Sequence, residues 1–260
     1  MFKSLLSFFL LLMLPCYALA NAKCSAASFD QTETITKVID GDTVRLRDGS
    51  LVRLIGIDAP EMDFDDATKS EADALKAKEY LAQLIGKKKV HLSFDQDFID
   101  PYNRMLAHLY NDQGQNLQAA MLSAGLAKHW VIGANDQFWP CYKKAEIKAR
   151  QAKQNIWFPT RSNVLSSEEA RYYRGQYKEY QGKITRVWSD DDNVTWVVLD
   201  KYLYLGIRFK DLALFEKYQL SKERQGELFV VRGKTYYHKK RWRIDLTHPW
   251  QVITQSELTR

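Results

Sequence analysis

Along the chain, apolar positions recur first in short β-like runs and then at the three-to-four spacing of helices. Thr34 to Ile39 and Thr43 to Leu46 are β-rich, and Asp48-Gly49 is a tight-turn dipeptide. Leu51 to Ile57 then reads as one strand, apolar almost throughout except for Arg53. Ser70-Glu71-Ala72-Asp73 resembles an N-terminal capping signal. It opens a helix with Ala74, Leu75, Ala77, Lys78, Leu81 and Leu84 at helical spacing. Val90 to Phe94 and Leu106 to Tyr110 are two more strands. Asn116 to Ala124 is a short helix stopped by Gly125, and Pro140 to Gln154 is a last helix, expected to be basic on its solvent side. Strands so interrupted predict a small closed barrel of the OB type, with three helices around it.

A proline and polar residues end this pattern at Phe158-Pro159-Thr160-Arg161-Ser162-Asn163. Beyond it, Tyr177 to Trp188, Val194 to Leu199 and Tyr202 to Phe209 read as strands, and Asp211 to Leu220 as a short helix. Glu227 to Tyr237 and Arg241 to Leu246 form a closing hairpin. Three strands, a helix and two strands is OB-like connectivity. The expected fold class is therefore α+β, mainly β: a five-stranded OB barrel with three helices, then a second, smaller OB-like barrel. The expected divisions are residues 1–20, 21–160 and 165–260, and 260 residues suffice for two cores.

Composition changes the picture at the N-terminus. Met1-Phe2-Lys3, the largely apolar run Leu5 to Leu14 and the small residues of Ala18-Leu19-Ala20 read as a signal peptide cut after Ala20. The run falls short of the roughly 20 residues that span a membrane. A secreted or periplasmic monomer, without stable membrane association after cleavage, is expected. That cut leaves Cys24 and Cys141, which an oxidising compartment lets pair, although sequence does not show that they meet. Charge is unevenly placed. The whole chain carries +6, residues 21–160 carry −1 and residues 161–260 carry +6, which points to a polyanionic partner for the second half.

Three clusters carry candidate chemistry. In Ile39-Asp40-Gly41-Asp42-Thr43-Val44, Asp-Gly-Asp is in the first instance a turn. In Arg53-Leu54-Ile55-Gly56-Ile57-Asp58-Ala59-Pro60-Glu61, an arginine inside an apolar strand must find an anion, either a substrate or a structural partner such as Asp58 or Glu61. Asp100-Pro101-Tyr102-Asn103-Arg104 is a polar turn before a strand. Asp42 and Asp58 flank the hairpin turned by Asp48-Gly49, and hard oxygen ligands at a strand end suit Ca²⁺ better than zinc. An ideal ladder does not bring the two together, so a bulge or strong coiling is required. Two arginines, a carboxylate and a divalent cation are what phosphodiester hydrolysis needs.

At these residues the chain resembles the thermonuclease family, also called micrococcal or staphylococcal-type nucleases. The matching stretches are IDGDTV at 39–44, VRLIGIDAPE at 52–61, DPYNR at 100–104, GLAK at 125–128 and NIW at 155–157, in the family's order. The resemblance spans roughly residues 34–158. It implies an OB barrel with three helices that hydrolyses DNA and RNA with Ca²⁺ and leaves 3′-phosphates. By the same resemblance, Asp42 and Asp58 are metal ligands together with the Ala59 carbonyl, and Asp40 stands behind them. Arg53 and Arg104 grip the scissile phosphate, Glu61 acts on the attacking water, and Tyr102 helps hold the terminal phosphate.

The chain departs from the pattern in places. Ala59 stands where the best-known members have threonine. His129-Trp130-Val131-Ile132-Gly133 replaces tyrosines of the base pocket, so Trp130 is either a stacking platform or a core ring. The segment after Glu61 is shorter and acidic, with Asp63, Asp65 and Asp66. In the second half, Lys239, Lys240 and Arg241 lie in a stretch that interleaves cations with rings. That stretch is either a nucleic-acid contact, or a solvated turn whose Tyr237 and Trp242 belong to the core. The alternative functions are a non-catalytic nucleic-acid-binding protein on the same barrel, disfavoured by the intact charged set, and an exported protein-binding adaptor.

Overall fold

The computed structural model describes residues 24–259 apart from 88, 132, 160–163 and 221. The expected signal peptide and its cut lie outside the described residues. The first half contains β1 (Gln31–Val38), β2 (Thr43–Leu46), β3 (Leu51–Leu54), β4 (Gly56–Asp58), α1 (Ala74–Ile85), β5 (Lys89–Ser93), β6 (Met105–Asn111), α2 (Leu117–Ser123), β7 (Lys128–Trp130) and α3 (Trp139–Gln151). Five strands close a barrel in the order β1-β2-β3-β6-β5, as the run lengths predicted. Only β3 and β6 pair in parallel. The interior is filled by Val44, Val52, Leu54, Leu92, Ala107 and Leu109, so Arg53 and its neighbour Thr43 point to the outside.

Two local expectations need correction. Leu51 to Ile57 is not one strand. It breaks at Ile55, and Gly56 takes φ +87° with the ring of Tyr142 so close that a Cβ would stand 2.3 Å from it. The following β4 leaves the barrel to pair with β7. The capping signal before α1 is used differently. The helix starts at Ala74 behind a left-handed Asp73, while Ser70 accepts the Asp63 N–H and Glu71 accepts the Glu61 N–H. These residues therefore brace the acidic loop rather than the helix. Leu75 faces solvent, and Ala74, Ala77, Leu81 and Ile85 form the buried stripe.

The second half contains β8 (Leu165–Ser166), β9 (Tyr177–Ser189), β10 (Val194–Leu199), β11 (Leu203–Arg208), α4 (Phe209–Leu212), β12 (Leu228–Lys234), β13 (Tyr236–His238), β14 (Arg241–Asp245), β15 (Val252–Thr254) and α5 (Gln255–Leu258). Its strands run β13-β14-β11-β10-β9-β12-β15, with β11 and β14 parallel and β8 added beside β9. The ladder is open, which corrects the expectation of a plain closed barrel. Its members β12 and β13, however, are consecutive stretches of one strand interrupted at Thr235. The ring is thus completed by the chain itself, and the connectivity remains OB-like. Apolar patterning alone fuses β12 with β13 and gives no sign of β4, β7, β8 or β15 as separate strands.

The two halves meet across α3. Its Tyr142, Ala145 and Ala149 are buried, but so are Lys143 and Glu146, which the expected basic solvent face does not explain. Arg232 of β12 is only 2% exposed and pairs with Glu146, donates to the His129 carbonyl at 2.8 Å, and has its Nε 2.7 Å from Glu179 without hydrogen-bond geometry. Arg150 reaches the same Glu179 at 2.7 Å. Lys143 donates to the Tyr218 hydroxyl and the Val252 carbonyl and pairs with Glu257. A disulfide between Cys24 and Cys141, with Cα atoms 5.7 Å apart, ties the start of the described chain to the first turn of α3.

Candidate active site

The break at Ile55-Gly56 supplies the bend that sequence could not. It turns Ile57-Asp58-Ala59 back toward Asp42, and the Ala59 N–H donates to Asp42 Oδ2 at 2.8 Å. Arg53 fixes the bend from inside. Its Nη1 donates to the Leu54 and Ile57 carbonyls, both at 2.8 Å, while Nη2 lies 3.0 Å from Asp42 and 3.3 Å from Asp58. Asp42 Oδ1 accepts from the Thr43 hydroxyl at 3.1 Å, and Asp40 accepts the Asp42 N–H at 2.9 Å. Gly41 is more than a turn residue, because a Cβ there would meet Ala59 at 2.6 Å and Ala77 at 2.8 Å.

The electrostatics of the cluster are dominated by crowded acids. Burial, opposed by Arg53 and reinforced by Asp40 and Asp58, pushes Asp42 up to about 7. Burial also raises Asp58, against Arg53 and Lys128, and it raises Glu61 with help from Asp40 and Asp58. One arginine therefore does not neutralise the group. Among the described residues no three His, Cys, Asp or Glu side chains converge as a ready-made metal cage. The donors are nonetheless hard oxygens sharing too little positive charge, which fits an oxygen-liganded divalent cation completed by carbonyl and water oxygens.

Arg104 immediately precedes the neighbouring strand β6. Parallel pairing sets Arg53 opposite Leu106, two residues beyond Arg104, so the two arginines lie near one another along the β3–β6 pair. The Arg104 Nε donates to Asp100 Oδ2 at 2.7 Å, and its guanidinium carbon lies 5.5 Å from the Tyr102 ring. Asp100 also accepts the N–H groups of Tyr102 and Arg104, both at 2.9 Å. Tyr102 is 81% exposed.

The remaining expected site residues lie elsewhere. Trp130 is not a free platform: its ring centroid is 4.0 Å from that of Tyr177 and 5.7 Å from that of Trp250, inside an aromatic cluster joining the halves. Lys239 and Lys240 occupy the left-handed turn between β13 and β14, with Arg241 opening β14. Tyr237 beside them is 48% exposed, whereas Trp242 packs on the second core. Three residues escape sequence reasoning. Asp100 organises Arg104, and its place opening a polar turn was the available signal. Lys128 opposes Asp58 in the β4–β7 pair. Lys178 joins Asp58, Glu71 and Lys128 in lining a cleft of about 450 Å³, and nothing in the sequence links it to Asp58.

The chain is similar to known nucleases. A family model described as staphylococcal nuclease homologue matches residues 51–159. A thermonuclease of Staphylococcus intermedius is 31% identical over 127 residues, 47% of this chain and 74% of that protein. An uncharacterized endonuclease of Escherichia coli O157:H7 is 32% identical over 126 residues, again 47% of this chain and 74% of that protein. An endonuclease of Bacillus subtilis (strain 168) is 25% identical over 175 residues, 63% of this chain and 14% of that protein.

Proposed function

Because the chain belongs to the staphylococcal nuclease family and is a nuclease, we propose that it is an exported, Ca²⁺-dependent phosphodiesterase of DNA or RNA that leaves 3′-phosphates. The Asp42–Arg53–Asp58 cluster carries the reading, since two carboxylates share one guanidinium and leave a surplus of negative charge that a metal cation would compensate. Asp42, Asp58 and the Ala59 carbonyl would hold Ca²⁺, which when bound draws charge from the phosphate oxygens. Asp40 holds Asp42 in place through its backbone. Arg53 Nη2, shared here by the two carboxylates, is the edge that would face a phosphate. Arg104, aimed by Asp100, offers a second fork to the same phosphate, and Tyr102 holds a terminal one.

Glu61, with its raised proton affinity, accepts a proton from the attacking water. The new bond joins that water oxygen to phosphorus, the bond from phosphorus to the 5′ oxygen breaks, and the departing 5′ oxygen takes up a proton from solvent, to which Glu61 later returns the one it accepted. Lys239, Lys240 and Arg241 are assigned phosphate contacts away from the chemistry, within a second unit at 165–260. Export is supported by the N-terminal pattern and by the Cys24–Cys141 bond, which suits an oxidising compartment.

The test is DNA degradation by the purified mature chain with Ca²⁺ and with chelator. Activity is expected only with Ca²⁺, and Asp42→Ala should abolish it. Chelator-resistant hydrolysis, or a fully active Asp42→Ala variant, refutes the metal assignment.

A further inference from the structure

The outer face of the second sheet carries three arginine–aromatic pairs that the reaction does not use. Strand register sets Trp188 opposite Trp196, Val198 between Arg186 and Tyr204, and Tyr204 opposite Arg243. The alternating residues Val187, Val197, Leu203, Leu205 and Ile244 fill the core, so the named rings and arginines share the face turned away from it. The guanidinium carbon of Arg186 lies 4.4 Å from the Trp188 ring, that of Arg243 4.6 Å from Trp196, and that of Arg241 4.8 Å from Tyr204. The two tryptophan rings are nearly parallel at 6.4 Å, and Tyr204 meets Trp188 edge-on at 6.2 Å.

We propose that this face binds single-stranded nucleic acid, with Arg186, Arg241 and Arg243 taking phosphates and Trp188 and Tyr204 stacking bases. Three observations carry it. Among the described residues, none of the three arginines is paired with a carboxylate, and Arg243 Nε is shielded from solvent with no acceptor. Like charges set together with no carboxylate in ion-pair contact are what a polyanion compensates, and a guanidinium stacked on a ring keeps its N–H edge free for phosphate. Trp188 and Tyr204 are half-buried with a guanidinium over one face each, and the ring surface left exposed can be stacked on only by unstacked bases, which selects a single strand over a duplex. The carboxylates nearby are bound to neutral donors and not to these arginines. Asp190 accepts from Trp196 Nε1 at 2.6 Å, and Asp245 accepts from the Tyr236 hydroxyl at 2.6 Å. Asp191 and Asp192 sit in the β9–β10 turn and Lys239 and Lys240 in the β13–β14 turn, so the strand leads toward the basic hairpin.

The proposal rests on the nuclease reading only for what the bound strand is for, and it is tested without catalysis. Full-length protein in chelator is titrated with labelled oligothymidylate of about 16 nucleotides, the upper site size of one OB barrel, and with duplex of equal length. Wild type should prefer the single strand and show quenched tryptophan fluorescence. The exposed double variant Arg186→Ala/Arg241→Ala should flatten the plot of log affinity against log salt by about 0.7 for each phosphate no longer neutralised. Trp188→Ala should weaken binding about fivefold or more, and Trp188→Phe should restore it. Unchanged oligothymidylate binding in the arginine variant overturns the proposal, as does equal weakening for single strand and duplex. Binding abolished in the variants while wild type fails to hydrolyse DNA with Ca²⁺ would instead sink the proposed Ca²⁺-dependent hydrolysis and leave this proposal standing.

Discussion

The two arginines assigned to the phosphate differ in what else they hold. Arg53 is 7% exposed, bonds two carbonyls of its own bend and touches two carboxylates. Removing it leaves the buried Asp42 uncompensated, a loss of about 3–5 kcal/mol in comparable buried pairs. Arg53→Ala is therefore expected to lower the thermal midpoint and abolish activity together. Arg104 makes one partly exposed ion pair with Asp100, worth about 0–1 kcal/mol. Arg104→Ala should lose about 10²–10³ in kcat with its midpoint close to wild type. A collapse in stability with little specific loss of rate would mark Arg104 as structural. At this scale the charged set was legible, because an arginine in an apolar strand demands anions and acids flank it in sequence. The route from Asp42 to Asp58 was not, since it depends on a ring, Tyr142, that arrives from a helix far along the chain. Trp130 was ambiguous for a simpler reason. A ring that stacks on a base and one that stacks on Tyr177 have the same spelling.

Strands and barrel order followed from alternation and turn residues, whereas α3 departs from expectation because its charges look solvated in a helical projection. Lys143, Glu146 and Arg150 answer to Glu257, Arg232 and Glu179, residues that periodicity cannot connect to them. This buried network has a pH signature. Burial raises the Glu179 pKa, but Arg150 and Arg232 outweigh that and hold it at about 2, below its ordinary 4.5. A depressed carboxylate contributes stability above its unfolded pKa and loses it as pH falls through the folded one. The unfolding free energy should thus drop between pH 4.5 and about 2, with a shallower drop in Glu179→Gln. Equal slopes in both proteins would remove Glu179 from the account. The disulfide acts on the same helix. On the chain-entropy model, closing a loop of about 100 residues adds about 4.7 kcal/mol. Reductant should lower the midpoint of wild type and leave Cys24→Ser/Cys141→Ser unaffected, while two freely titrating thiols in the native protein would contradict the bond.

At the scale of the molecule, the charge partition suggests a nuclease half and a basic half that could be separated, and the packing argues otherwise. Cutting after Phe158 removes Arg232, Glu179, Tyr218 and Glu257 at once. Glu146, fully buried, would lose the cation it pairs with in the second sheet, and Lys143 would lose the Tyr218, Val252 and Glu257 oxygens it touches. Burial already lowers Lys143 to about 8 against the pull of Glu257, so without those partners its charge is harder still to keep. The Trp130 ring would also be stripped of Tyr177 and Trp250. Full-length protein is accordingly expected to unfold in one cooperative transition. The fragment 21–158 should melt well below it or fail to stay soluble, even though it keeps every residue assigned to the chemistry. Replacing the stranded lysine in the fragment, as Lys143→Leu, should recover part of the missing midpoint, because an apolar group needs no partner there. A fragment that melts at the full-length temperature without those changes would show that the second sheet is cargo on an independent enzyme, and that the buried ion network contributes nothing to holding α3 against the barrel.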